Sequence, residues 1–245
     1  MSNQPTACVL IIGNEILSGK TQDTNLQFLG VELAKLGIRL AEGRVVRDEP
    51  AAIIRHVNET RREFTYVFTT GGIGPTHDDI TAECVAQAFG VPLELSDDAV
   101  LRLQRGGRPL NEARLKMARI PRGAELVDNP VSNAPGFRIE NVFVFAGIPS
   151  IARAMFANAV PLLVHGAPIL SASVDAFLRE GDFAAALTSI QQRYATVEIG
   201  SYPFNRDGKL GATLVARGTD RALLEKVVDE IVTAMTKLGG ETRVL

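Results

Sequence analysis

Apolar positions along this chain follow two rhythms. Ala7-Cys8-Val9-Leu10-Ile11-Ile12 is an unbroken apolar run ended by Gly13, the pattern of a strand buried on both faces. A loop rich in Gly, Ser, Thr and Asn follows. Leu26, Leu29, Leu33 and Leu36 then recur at helical spacing up to Gly37, a helix stop. Residues 39–46 read as a strand. The next helix is expected to take Asp48 as its cap and Pro50 in its first turn, with Ile53, Ile54 and Val57 as its apolar face. Tyr66-Val67-Phe68-Thr69-Thr70 predicts a third strand, and residues 79–89 a helix closed by Gly90 and Pro92. Ser96 starts another helix, and a basic helical stretch follows Pro109. Val142-Phe143-Val144-Phe145 reads as a strand, with Pro149 opening the helix after it. Strands separated by helices imply an α/β fold, a mostly parallel sheet with helices on both faces.

Beyond Gly166-Ala167-Pro168 the rhythm changes. Residues 169–174 read as a strand, 181–194 as a helix, 197–202 and 210–216 as strands with a hairpin connection across 204–209, and 220–238 as a helix. The boundary therefore falls between an α/β domain over 1–166 and a small α+β (βαββα) domain over 167–245. The small domain shows no cluster of chemical residues, so a packing, oligomerisation or lid role is expected.

Composition narrows the class. Hydrophobic residues make up 46% of the 245 and the net charge is −2, which excludes a disordered chain. A pI near 6.0 argues against a strongly basic nucleic-acid protein. No apolar run approaches the ~18 residues of a membrane span. The first residues lack a basic segment before an apolar one, so no signal peptide is expected. Cys8 and Cys84 are too few for a disulfide scaffold or a four-ligand zinc site and read as buried hydrophobes. A cytoplasmic setting is the expectation.

Ligands of open parallel sheets bind beyond the carboxyl ends of the strands. Three loops leave such ends: residues 13–24, Arg47-Asp48, and Thr69-Thr70-Gly71-Gly72-Ile73-Gly74-Pro75-Thr76-His77-Asp78-Asp79. In the third, Gly71, Gly72 and Gly74 let the main chain approach a ligand and turn its N–H groups inward, while the following helix offers its positive end. Thr69, Thr70 and Thr76 add hydroxyl donors. Asp78 and Asp79 beside a phosphate would repel it, unless a divalent cation bridges them or an aspartate acts on the reacting group. A helix cap is the simpler role for either.

The charges are segregated. Residues 63–101 hold seven acids and no Lys or Arg, whereas 102–122 hold seven bases (Arg102, Arg105, Arg108, Arg114, Lys116, Arg119, Arg122) and one acid. The bases suit a pyrophosphate clamp or, equally, a solvated helix face. Without interleaved aromatics they do not suggest nucleic acid. The segment Gly13-Asn14-Glu15-Ile16-Leu17-Ser18-Gly19-Lys20-Thr21 has five residues between its glycines where a P-loop has four. The 72–77 stretch lacks the third glycine of a dinucleotide fingerprint. His56 is expected exposed on its helix and His165 at a helix end, so His77 is the histidine placed in a candidate site. Ser18 and Ser150 have no local base, and a hydrolase triad finds no support.

Gly13-Asn14-Glu15-Ile16-Leu17, then Asp23-Thr24-Asn25, then the 69–81 string through Ile80-Thr81 resemble the MoaB/MogA-type molybdopterin-binding domain family, most of all its CinA-like members. Asn111, Lys116, Pro121, Asn129, Ala134-Pro135-Gly136-Phe137 and Gly147-Ile148-Pro149-Ser150 follow in the family's order, so the resemblance covers roughly 5–165. It extends to Ile199-Gly200-Ser201-Tyr202-Pro203-Phe204, which is similar to the small domain that follows in CinA-like chains. The resemblance implies a three-layer sandwich that binds a small phosphorylated ligand, a pterin or a nucleotide diphosphate. In molybdenum-cofactor members it implies molybdopterin binding with adenylyl transfer or metal insertion. In CinA-like members it implies a divalent-cation-dependent (Mg, Mn or Co) pyrophosphatase acting on ADP-ribose-type compounds, in a homo-oligomer without membrane or nucleic-acid partners. It matches the family's functional aspartates to Asp48 and Asp79 as catalytic, with Asp78 and Asp79 toward the metal. It brings Gly13, Glu15, Thr70, Gly71, Gly72, Gly74, Pro75, Thr76, Asn111, Lys116, Gly147, Pro149 and Ser150 into the ligand pocket. Two departures stand out: Ser132-Asn133 where Gly-Thr is usual, and Ala146 where Pro is common. The deamidase domain of longer CinA-like chains is not expected here.

Overall fold

A computed structural model describes residues 4–206 and 208–245. The chain divides into two compact units, one ending at Gly166 and the other beginning at Ala167.

In the first unit, β1 (Thr6–Ile12), α1 (Asn14–Leu17), α2 (Asn25–Lys35), β2 (Arg39–Val46), α3 (Pro50–Glu63), β3 (Tyr66–Thr70) and α4 (Thr81–Phe89) come first. They are followed by β4 (Leu93–Leu95), α5 (Asp97–Arg105), α6 (Glu112–Lys116), β5 (Arg119–Pro121), β6 (Glu125–Val127), β7 (Gly136–Ile139), β8 (Val142–Phe145) and α7 (Pro149–Ala159). Among the described residues the main sheet runs β2-β1-β3-β8-β7-β6. β2, β1, β3 and β8 are parallel, and β7 and β6 continue antiparallel. β4 and β5 form a separate antiparallel pair.

Alternation along the central strands builds two cores. Cys8, Leu10, Ile12, Val67, Val142 and Val144 face α3, α4 and α5 through Ile53, Val57, Val85 and Leu103. Ala7, Val9, Ile11, Phe68, Phe143 and Phe145 face α2 and α7 through Leu29, Leu33 and Phe156. This is the three-layer sandwich, and it explains why β1, β3 and β8 read as continuous apolar runs. Phe68 stacks on Phe143 at 5.2 Å and meets Phe156 edge-on at 5.9 Å. Cys8 and Cys84 are buried free thiols, and burial pushes them up to about 12 and about 11, which keeps them unreactive.

The second unit contains β9 (Leu170–Ala176), α8 (Glu180–Arg193), β10 (Glu198–Arg206), β11 (Lys209–Gly218), α9 (Arg221–Lys237) and β12 (Thr242–Val244). Its sheet runs β10-β11-β9-β12, antiparallel throughout. Val174, Ala176, Ala212, Leu214 and Ala216 pack against Phe183, Ile190, Val227 and Ile231 of α8 and α9. Asp220 caps α9 by accepting from the Leu223 N–H at 3.1 Å. β12 adds a strand to the expected βαββα pattern. No helix of the described residues is long and apolar enough to cross a membrane.

Several local expectations need correction. Asp48 does not cap α3, whose N-cap is Glu49 without a side-chain bond; the Asp48 carboxylate instead accepts the Asn14 N–H at 2.7 Å, a partner 34 residues away. The helix expected from residue 79 starts at Thr81, so neither Asp78 nor Asp79 is its cap. His165 lies past the end of its helix. His56 is not an exposed histidine: its side chain is 20% exposed and wedged between arginines. Its Nδ1 lies 2.9 Å from Arg44 Nη1 and its Nε2 3.2 Å from Arg55 Nη2.

Burial, then Arg55 and Arg44, lower the His56 pKa from its ordinary 6.5, against the opposing pull of Glu59 and Glu42. The folded state therefore holds His56 neutral where an unfolded chain would protonate it. Its contribution to stability is present above pH 6.5 and is lost as the pH falls through the lowered folded value. The urea midpoint should drop between pH 7.5 and 5.5, and His56→Gln should reduce that drop. An unchanged pH dependence in the variant would refute the assignment.

Candidate functional site

The carboxyl ends of β1, β3 and β8 converge, and glycine makes the convergence physically possible. At Gly71 the backbone has φ +106°, and a Cβ there would overlap the carbonyl oxygen of Ile12. At Gly72 φ is +67°, and a Cβ would overlap Thr81 Oγ1. Both conformations are strained for residues with side chains. The Gly71 N–H donates to the Phe145 carbonyl at 3.1 Å, while the Thr81 hydroxyl donates to the Gly71 carbonyl at 3.0 Å and the Thr81 N–H to the Gly72 carbonyl at 2.9 Å. A Cβ at Gly147 would sit 3.3 Å from the Gly71 Cα, so the turns after β3 and β8 lie against each other. Asn25, only 3% exposed, donates from Nδ2 to the Gly147 carbonyl at 2.8 Å and fixes the second turn to the start of α2.

Beside these turns lies a cavity of about 810 Å³. Gly71, Gly72, Gly74, Pro75, Gly147 and Pro149 line it, with Glu15 and Asp79 supplying carboxylates and Arg108 and Arg114 guanidinium groups. Apolar side chains of Ile73, Met117, Val131, Ile148, Ile151 and Met155 also line it, with Thr21, Asn129, Ser132 and Asn133 adding polar groups. Val131 and Ile148 are 56% and 59% exposed, unusual for large aliphatic side chains beside a cavity. The N–H groups of Gly72, Ile73 and Gly74 donate to no acceptor among the described residues. At the start of α7 Pro149 has no N–H to give, but those of Gly147 and Ile148, which also line the cavity, likewise donate to no acceptor among the described residues. Two sets of backbone donors therefore border one concavity, the arrangement that favours an anion. A second cavity of about 420 Å³ shares Gly72, Gly74, Asp79 and Met117 with the first and adds Glu83, Lys116 and Arg119.

The aspartates divide their tasks. Asp79 Oδ2 accepts the Thr76 N–H at 2.8 Å and the Thr76 hydroxyl, which closes the 76–79 loop from its far end. A Cβ at Gly74 would lie 2.7 Å from an Asp79 oxygen, so only glycine leaves this carboxylate its place. Asp78 is exposed and held below the usual carboxylate range by the neighbouring Thr76, its own backbone N–H, His77 and Lys116. It lines neither cavity, and nor does Asp48.

Of the residues expected in the pocket, Glu15, Gly71, Gly72, Gly74, Pro75, Asp79, Gly147 and Pro149 line the larger cavity, and Lys116 the smaller. Gly13, Thr70, Thr76, Asn111 and Ser150 line neither. Thr70 is buried at the end of β3 with Oγ1 unpartnered, Thr76 holds Asp79, and Asn111 caps α6 by accepting the Arg114 N–H at 2.9 Å. Most of the bases of 102–122 are engaged. Arg102 pairs with Asp128 and Arg122 with Glu94. Arg114 donates to the carbonyls of Leu103, Arg108 and Pro109, and Lys116 to that of Thr76. Sequence reasoning did not place Val131, Ile148 or Met155 at the site, because an aliphatic residue beside a cavity is written like one in a core.

A cation at this site would need hard oxygen donors. Glu15 and Asp79 offer them, and Mg²⁺-type sites commonly combine one or two carboxylates with ligand phosphates. Among the described residues no three His, Cys, Asp or Glu side chains gather to hold an ion by themselves.

Residues 8–165 match the family described as probable molybdopterin binding domain, and residues 168–239 that described as FAD synthase, middle domain. A CinA-like protein of Crocosphaera subtropica is 29% identical over 249 residues, covering 96% of this chain and 60% of that protein. A probable FAD synthase of Caenorhabditis elegans is 31% identical over 259 residues, covering 94% of this chain and 50% of that protein. The chain thus spans 50–60% of the length of these relatives. The crystal structure of CinA from Thermoplasma acidophilum, a protein of unknown function, superposes with a TM-score of 0.61 at 34% identity, over 65% of this chain and 98% of that one.

The glycine turns make a stability prediction. Gly71→Ala and Gly72→Ala should each cost about 2–4 kcal/mol in chemical denaturation, combining positive-φ strain with overpacking against fixed groups. Gly90→Ala, at φ +66° in open space, should cost only about 1 kcal/mol. Equal losses at all three positions would remove the close approach as their cause.

Proposed function

This chain belongs to the molybdopterin-binding domain family and is CinA-like, and on that premise we propose that it binds a nucleoside diphosphate linked to a sugar and hydrolyses the P–O–P bridge. What supports this reading above all is that the N–H groups of Gly72, Ile73 and Gly74, and of Gly147 and Ile148, have no acceptor among the described residues and belong to residues that line the larger cavity, as does Asp79. The diphosphate lies along the donors. Val131, Ile148 and Met155 give an aromatic base an apolar wall. Arg108, without an ion-pair partner among the described residues, takes phosphate charge that the amides leave.

In hydrolysis a water oxygen forms a bond to one phosphorus and the bridging oxygen leaves with its electron pair. ADP-ribose would yield AMP and ribose 5-phosphate. Asp79, oriented by Thr76, accepts the proton of the attacking water. Glu15 and Asp79 are the residues that would hold a divalent cation, which supplies charge neutralisation for the phosphoryl oxygens. Asp48 acts on the Asn14 N–H, so it positions the first residue of α1, the helix that carries Glu15.

A binding-only role, for a pterin phosphate or a nucleotide, is favoured by one observation: no three His, Cys, Asp or Glu side chains of the described residues form an ion site. Incubation of the purified chain with ADP-ribose and Mg²⁺, Mn²⁺ or Co²⁺ separates the readings. The hydrolase releases AMP, and Asp79→Asn lowers kcat by about 10²–10⁴-fold. Asp48→Asn should lower it less and raise KM. A rise in melting temperature with ADP-ribose but no AMP with any of the metals would leave the binding role and exclude the hydrolase.

A further inference from the structure

The sheet of the second unit has two faces, and α8 and α9 cover one of them. Strand pairing determines what lies on the other. Asp175 stands opposite Thr213 and Arg243, Tyr202 opposite Thr213, and Phe204 opposite Gly211. None of these belongs to the buried core beneath the helices.

Glycine lets the rings lean onto this face. A Cβ at Gly200 would meet the Tyr202 ring at 2.9 Å, and one at Gly211 would meet the Phe204 ring at 2.6 Å. Tyr202 is 50% exposed. Phe204 meets Phe177 edge-on with centroids 5.5 Å apart, and the Arg206 guanidinium lies 4.1 Å from the Phe204 centroid. Lys209 Nζ lies 5.7 Å from the Phe177 centroid. Asp175, 1% exposed, absorbs the charge of Arg206 in a salt bridge and accepts the Thr213 hydroxyl at 2.5 Å. Glu198 and Arg217 stand opposite each other and add no net charge. Lys209 and Arg243 are exposed and in no ion pair among the described residues.

Among the described residues the face therefore combines an exposed aromatic ring with more cations than acids, the chemistry that holds unpaired bases by stacking and their phosphates by charge. A duplex would keep its base faces hidden from these rings. We propose that this face binds single-stranded nucleic acid, with a base against the half-exposed ring of Tyr202 and phosphates against Lys209 and Arg243, the Phe177–Phe204 pair with Arg206 forming the floor beside it. The first-unit bases gave no such signal because no aromatics accompany them in sequence. Here the residues come from four different strands or their ends, and only the sheet brings them together.

Fluorescence anisotropy of labelled 12-nucleotide oligo(dT) and oligo(U) with the full chain at low salt provides the test. Both should bind, and a 12-base-pair duplex should bind more weakly. Tyr202→Ala should weaken binding at least about fivefold, and Tyr202→Phe should restore it, since stacking needs the ring and not the hydroxyl. Arg243→Gln should reduce the slope of log affinity against log salt by about 0.7, one phosphate's worth. Lys237→Ala, on α9, should change nothing. Absence of binding at low salt, duplex bound equally well, AMP competing as well as the 12-mer, or Tyr202→Ala binding normally while its melting temperature is unchanged would each overturn the proposal.

Discussion

The site depends on one place where no side chain fits. Gly71 touches the exits of three strands: its missing Cβ would occupy the position of the Ile12 carbonyl, its N–H bonds the Phe145 carbonyl, and its Cα abuts the turn at Gly147. A residue with a Cβ would have to push β1, β3 and β8 apart where all three are buried and parallel. Because it need not, the chains leaving these strands diverge from a single point. The donors of 71–74 and of the start of α7 then fall on the same wall. Packing against a bare Cα thus determines the electrostatics of the cavity, through the direction in which amides are left unpaired.

The carboxylates around this wall are first of all organisers of backbone. Asp48 accepts from Asn14, Asp23 from Leu26 and Asp79 from Thr76. Each satisfies an N–H that a tight loop leaves without a carbonyl partner, a need that short acidic side chains meet at little conformational cost. This explains how a wall proposed to hold an anion tolerates so many acids. Their charge is partly spent on amides, and of these three Asp79 also lines the larger cavity, together with Glu15.

The long elements were legible because each has a period or an unbroken apolar run long enough to declare it. β1, β3 and β8 show the sandwich by being apolar on both faces, and α2, α3 and α9 by their stripes. The three-residue strands β4, β5, β6 and β12 were not legible, since three residues carry no period. The short antiparallel β7 was also missed. Asp48 was misread because an acid before Pro looks like a helix cap, and its true partner is far away in sequence. The glycine turns could be read from composition alone, as glycine is placed where geometry allows nothing else. The apolar wall could not, because Val131 and Ile148 carry no mark that distinguishes a ligand-facing aliphatic residue from a packed one.

Segregated charge was the most suggestive pattern in the sequence, and the fold uses it differently from a clamp. Arg102 and Arg122 bridge to acids on neighbouring segments, and such exposed pairs contribute about 0–1 kcal/mol each. Arg114 and Lys116 end on main-chain carbonyls. These arginines and the lysine hold the 103–116 segment and the 72–79 loop in place, so most of the positive charge is committed before any ligand arrives. The grip on an anion must then come mainly from fixed amides. Amides do not titrate and lose no side-chain freedom on binding, and they attract over a short range only. Affinity at such a wall is governed by how well the spacing of the phosphoryl oxygens matches the donors. The proposed linked diphosphate, which presents two oxygen sets at fixed separation, would meet that selection better than a single phosphate of equal charge.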